Sequence, residues 1–141
     1  MGEKQQRTQK TALIVCIVVP VASLHFLTGD NYGGPYPEFV NCYLLDILLP
    51  LSFYFLLCLI QSSLLRSWIV RALLVFSAAA CVEVAQFFGI PLLGRTFDPI
   101  DIVMYALGVG LAVILDTLVF PRILSFWGPE SNSSSRAPAP G

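Results

Sequence analysis

The sequence predicts an all-α membrane protein, a four-helix transmembrane bundle with both termini cytoplasmic. Three observations carry that expectation. Of 141 residues, 56% are apolar and only 12% are charged. A soluble domain carries about 25% charged residues, so lipid is the solvent that fits this surface. The apolar residues fall in four long runs without the period-two alternation of barrel strands, which favours helices. Finally, when the four runs are threaded through a bilayer, seven of the eight Lys and Arg residues share one side. The positive-inside rule makes that side cytoplasmic.

Each element has its own justification. Residues 1–10 are polar, with Lys4, Arg7 and Lys10, and form a cytoplasmic N-terminal segment. The apolar run 11–27 follows, close to the roughly 17 residues that just cross a bilayer. Its start also has the form of a signal peptide, with Val21-Ala22-Ser23 at the cleavage position. An uncleaved first helix is the expectation, kinked at Pro20, which has no backbone N–H to give the preceding turn. Residues 28–40, TGDNYGGPYPEFV, cluster the residue types that make turns. The second span is expected over 41–65, the third over 67–91 and a short loop over 92–97. The fourth runs over 99–120 and ends at Pro121. The Gly-, Pro- and Ser-rich stretch 128–141 cannot bury a core and is expected to be disordered. The membrane domain is thus 11–127. Asn132-Ser133-Ser134 has the form of a glycosylation acceptor, but on this topology it stays cytoplasmic.

Composition also excludes some functions. The net charge is -1 and no basic face is clustered, so nucleic acid is not an expected partner. Cys16, Cys42, Cys58 and Cys81 show no CxxC pairing and lie in or beside apolar runs, where cysteine acts as a small hydrophobe. No metal site and no cofactor follow from them. His25, alone at the outer end of the first run, reads as an interfacial residue.

Four carboxylates inside or beside apolar runs carry the chemical interest: Asp46, Glu83, Asp101 and Asp116. An ionised group at mid-bilayer costs on the order of 3 kcal/mol or more, so such residues are paired, protonated or facing a wet cavity. Glu83 and Gln86 share a face of the third helix. Glu83 lies eight residues before Pro91, about 12 Å from that end. Arg95 follows in the loop, where its fork of donors suits a carboxylate or phosphate. Asp98, Pro99 and Asp101 open the fourth helix as N-cap, N1 and N3. Asp101, Tyr105, Gly108 and Ala112 then line one of its faces, and the Gly108/Ala112 pair admits a closely packed neighbour. Tyr105 is placed to donate its hydroxyl to Glu83 or Asp101. Asp46 opens the second span near the outer face and joins the same set. Asp116 lies fifteen residues beyond Asp101, about 22 Å along the axis. At that cytoplasmic end it is expected to pair with Arg71 or Arg122.

The pattern Glu83-x-x-Gln86-Phe87, then Gly94-Arg95-Thr96-Phe97-Asp98, Asp101 and Gly108, resembles the VanZ-like family of small multi-helix membrane proteins. The likeness covers roughly residues 80–112 and reaches Asp46 and Tyr54 more weakly. It departs at Ile47 and Pro50, where members of the family often carry Lys and His, and at Tyr105, where they usually carry Asn. The resemblance implies the fold and a shared polar site. The family's mechanism is not established, and antibiotic resistance does not carry over from its name.

Four readings of the polar set stand side by side. In the leading one, Asp46, Glu83, Gln86, Arg95, Asp98, Asp101 and Tyr105 form a site at the outer face of a prokaryotic cytoplasmic membrane. That site binds an anionic, amphiphilic or lipid-linked envelope ligand, or modulates envelope properties or glycopeptide sensitivity. Arg95 meets the negative group, while Glu83 and Asp101 orient Arg95 and Gln86. In the second, the motif is a hydrogen-bond network locking helices three and four in an accessory subunit. A third is an enzyme using paired carboxylates as acid and base; no nucleophile–base pair supports it, and no catalytic residue is assigned. A fourth is proton-coupled transport, which in so short a chain requires a homo-oligomer or a partner subunit.

Overall fold

A computed structural model describes residues 2–28, 32–90 and 98–127, with the side chains of 25–28, 38, 41 and 42 excepted. All the regular structure among these residues is helical. Helix α1 spans Glu3–Thr28. A short α2, Pro37–Phe39, runs through a π turn, Val40–Leu44, into α3, Leu45–Leu57. Then come a 3₁₀ turn, Leu64–Arg66, helix α4, Trp68–Phe87, and helix α5, Pro99–Ile114. A second π turn, Leu115–Val119, joins α5 to α6, Phe120–Ile123. Three helical stretches are long and apolar enough to cross a membrane: Glu3–Leu24, Trp68–Phe87 and Pro99–Ile123. Leu45–Leu57 is a shorter apolar helix.

Several ends differ from the sequence expectation, each for a local reason. Helix α1 begins at Glu3 rather than at residue 11. Residues 3–10 are Glu, Lys, Gln, Arg and Thr, mostly strong helix formers, and Glu3 sits where the helix dipole favours an acid. Helix α3 stops at Leu57 instead of reaching residue 65. The chain there tightens into i→i−3 bonds, from Cys58 N–H to the Phe55 carbonyl (3.1 Å) and Leu59 N–H to the Leu56 carbonyl (3.0 Å). The following turn is held by Arg71, whose Nη1 donates to the carbonyls of Leu65 (2.7 Å) and Arg66 (3.3 Å). Helix α4 ends at Phe87 rather than at 91 because Gly89 takes a left-handed φ of 78°. Gly89 N–H then donates to the Gln86 carbonyl (2.8 Å) and Ile90 N–H to the Ala85 carbonyl (3.0 Å), the paired bonds of a glycine C-cap. Pro121 does not end the last helix, which continues to Ile123. The π turn before it already shifts the ladder, with Phe120 N–H donating to the Leu115 carbonyl, and a proline is tolerated at such a shift. The loop expected over 92–97 and the tail over 128–141 lie outside the described residues.

Helix α3 is central: it packs on α1, α4 and α5, and α4 also packs on α5. The core between them holds Ile14, Tyr54, Phe55, Val75 and Ala112. Outward faces are apolar, with Leu73 60% exposed and Val103 55% exposed, a surface suited to lipid rather than water. The start of α1, the start of α4 and the end of α6 meet at one end of the packed helices. There Gln6 Nε2 donates to the Phe126 carbonyl (3.0 Å), and the Lys10 ammonium lies 4.7 Å above the Trp127 ring.

The tightest approach is between α3 and α5. A Cβ built at Gly108 would overlap the Ile47 carbonyl, whereas one at Gly110 meets nothing within 4 Å. Gly108→Ala is therefore expected to destabilise the fold by about 1–3 kcal/mol, the usual range for overpacking. Gly110→Ala is expected to stay within about 0.5 kcal/mol or to gain slightly from helix propensity. Thermal unfolding of the two variants in detergent checks both values.

Candidate functional site

The approach at Gly108 determines where Asp46 lies. Ile47, whose carbonyl rests on Gly108, is the next residue, so the Asp46 carboxyl is carried against the first two turns of α5. It lies within hydrogen-bonding reach of Asp101 and Tyr105. From α4, Glu83 enters the same space. Its side chain is 1% exposed, and the Tyr105 hydroxyl donates to Glu83 Oε1 at 2.8 Å. Glu83 Oε2 is buried and has no hydrogen-bond partner among the described residues. Three carboxyl groups from three helices thus surround one phenol.

Hydrogen-bond accounting defines what this arrangement is short of. A phenol has a single proton to donate, and an ionised carboxylate only accepts. Tyr105 gives its proton to Glu83. The groups acting on Asp46, Asp101 and Tyr105 are each other and the neighbouring acids Glu83 and Asp98; among the described residues no Lys or Arg is one of them. With its carboxyl groups ionised, the cluster is rich in acceptors and poor in donors among the described residues.

The remaining expected site residues separate. Asp98 caps α5, its Oδ1 accepting from the Ile100 N–H at 2.9 Å, and stands at the cluster's edge as a neighbouring charge to Asp101. Gln86 lies one turn beyond Glu83 on α4 and is half-buried. Arg95 lies outside the described residues, as do Gly94, Thr96 and Phe97. The His25 side chain is also outside them. Among the described residues no group of three or more His, Cys, Asp or Glu side chains has the geometry to hold a metal ion.

A second polar cluster lies at the opposite end of the same helices. Arg71 Nη2 pairs with Asp116 Oδ2 at 2.5 Å, with both side chains about 10% exposed. Of the two partners expected for Asp116, the structure selects Arg71. The Tyr54 hydroxyl donates to the same Oδ2 at 2.7 Å and accepts from Arg71 Nη2 at 3.2 Å. Trp127 Nε1 donates to Asp116 Oδ1 at 2.9 Å. One cation thus meets one anion, and both carboxylate oxygens are occupied. Tyr54 and Trp127 were not among the expected site residues. Their signal in sequence is chemical, since an aromatic ring with a polar handle seeks a partner when buried. Nothing in the order of residues says that Trp127 folds back to reach Asp116.

A buried pair that loses one member leaves an uncompensated charge, which costs about 3–5 kcal/mol. Asp116→Ala is expected to fall in that range. The double variant Arg71→Met with Asp116→Leu removes both charges and is expected to recover only part of the loss, because the Leu65 and Arg66 carbonyls and the Tyr54 and Trp127 donors lose their partners. Unfolding midpoints of the single and double variants in one detergent check this.

No family model, curated protein or solved structure matches this chain.

Proposed function

We propose that the chain is a four-helix integral membrane protein of VanZ-like type in a prokaryotic cytoplasmic membrane, with both termini inside. Its outer polar cluster binds the head of an amphiphilic envelope molecule. The fourth crossing is the continuous helical run 37–57, whose 21 residues extend about 31 Å, close to the hydrocarbon thickness of a bilayer. The orientation rests on the Lys and Arg residues gathered at the end where Arg71, Lys10 and Trp127 meet. The resemblance rests on the run from Glu83 to Gly108.

One observation carries the binding reading, namely the contrast between the two polar clusters. The Arg71–Asp116 network is charge-balanced and both oxygens of its carboxylate are partnered, with Arg71 Nε a buried donor that has no partner among the described residues. A network that only locks helices together reaches that condition. The Asp46–Glu83–Asp101–Tyr105 cluster is acidic and leaves a buried carboxylate oxygen with no partner among the described residues. Its missing donors come from a ligand. Arg95, the single basic residue on the outer side of this topology, meets the negative group of that ligand.

The accessory-subunit reading draws on one specific contact, the Tyr105–Glu83 hydrogen bond that ties α4 to α5. A matched set of variants separates the two. Glu83→Gln, Arg95→Gln and Asp101→Asn are compared with the parent for membrane abundance, thermal stability in detergent and lipid retained through purification, measured by mass spectrometry. Ligand binding predicts near-parental abundance and stability with loss of a retained amphiphile. Collapse of all three, with no change in retained lipid per folded molecule, assigns the cluster to helix locking.

A further inference from the structure

The ligand class of the outer cluster follows from its donor deficit. We propose that the cluster formed by Asp46, Glu83, Asp101 and Tyr105 binds a primary ammonium group, borne by the head of a membrane amphiphile. The proposal rests on the binding reading above and names the part of the ligand that the carboxyl groups hold. Three features carry it. Glu83 is 1% exposed and its Oε2 is an unpartnered acceptor enclosed beside the cluster. Asp46 and Asp101 come from different helices and lie within reach of each other and of Tyr105, whose one proton is already given to Glu83 Oε1. Finally, the described neighbours of Asp46 and Asp101 are acids and Tyr105, and Arg95 lies outside the described residues.

A primary ammonium matches all three. It carries three N–H donors and one positive charge, so it fills the orphaned acceptor and meets two further carboxyl oxygens. It also offsets the repulsion among the acids. The alternatives fit less well. A quaternary ammonium has the charge but no N–H, leaving Glu83 Oε2 as it was. An anionic head brings further acceptors to a site that lacks donors. Membrane attachment of the ligand follows from the apolar helices that carry the cluster, whose outward residues include Phe87 (65% exposed) and Val103.

The test uses the full chain in lipid nanodiscs of phosphatidylcholine alone, or of phosphatidylcholine with phosphatidylethanolamine or phosphatidylglycerol. Parent, Glu83→Gln, Asp101→Asn and the remote control Glu3→Gln are unfolded thermally in each. Phosphatidylethanolamine is expected to raise the parental midpoint over phosphatidylcholine by about 4 °C for a lipid near ten times its Kd. Glu3→Gln keeps the gain; Glu83→Gln and Asp101→Asn lose it. If Glu83→Gln fails to fold, the more exposed Asp101→Asn carries the comparison. Free ethanolamine added to phosphatidylcholine nanodiscs distinguishes the sources. A gain from it equal to that of the lipid supports the ammonium but moves its source to a soluble amine. A gain specific to phosphatidylglycerol and lost in Glu83→Gln overturns the ammonium while leaving the binding reading in place. Equal midpoints in all three compositions, with ethanolamine without effect, overturn both.

Discussion

The Ile47 carbonyl rests on Gly108, and this backbone-to-backbone contact between α3 and α5 sets the position of the groups on either side of it. With no Cβ at Gly108 the helices approach closely, as small residues allow in membrane helix pairs. Asp46, one residue before Ile47, is thereby brought to Asp101 and Tyr105. Two turns further along α3, Tyr54 reaches Asp116 on the same pair of helices. A single steric condition near the middle of the pair therefore fixes a polar cluster at each end. Helix α4 adds one residue to each, Glu83 above and Arg71 below, both on its buried face.

The two ends are opposite solutions to one electrostatic problem. Burying charge is costly unless it is paired and hydrogen-bonded. At the Arg71 end the pairing is internal: guanidinium, carboxylate, phenol and indole share their protons so that every oxygen of Asp116 is used. The aromatic rings of Phe55, Phe120 and Trp127 stack around it, with Phe120 and Trp127 centroids 4.9 Å apart. This end is a tight, closed joint that ties α6 and the chain beyond it to α3. At the Glu83 end the pairing is incomplete, and the same low-dielectric surroundings make that incompleteness costly.

What the sequence made legible follows from local chemistry. Asp98 as N-cap, Pro99 at the first helical position and the Gly108/Ala112 approach are all readable from short patterns, and each is present. The Arg71–Asp116 pair was readable as one of two options because both residues lie near the same membrane face. The convergence of Glu83, Asp101 and Tyr105 was readable because they lie near the facing ends of consecutive helices, and Asp46 joins them through the Ile47–Gly108 contact. The turn after α3 was not readable, because it is held by Arg71 reaching back to the Leu65 and Arg66 carbonyls from the next helix. The two π turns have no signature in the order of residues, and one of them carries the helix past Pro121. Trp127 belongs to the core only through tertiary folding, at 4% exposure as the last residue before the stretch expected to be a tail.

The division of labour between the ends also gives the site its rigidity. A binding group needs its supporting residues held in place by packed elements rather than by loops. Asp46, Glu83, Asp101 and Tyr105 all project from helices, and those helices are tied together at their far ends by the Arg71–Asp116 joint. The carboxyl groups therefore cannot relieve their mutual repulsion by swinging apart without breaking the Gly108 contact or the joint. Repulsion held by the scaffold in this way is released only by a proton or a cation arriving among the acids. Of these, a cation that also donates hydrogen bonds relieves both the charge and the unpartnered Glu83 oxygen in one step.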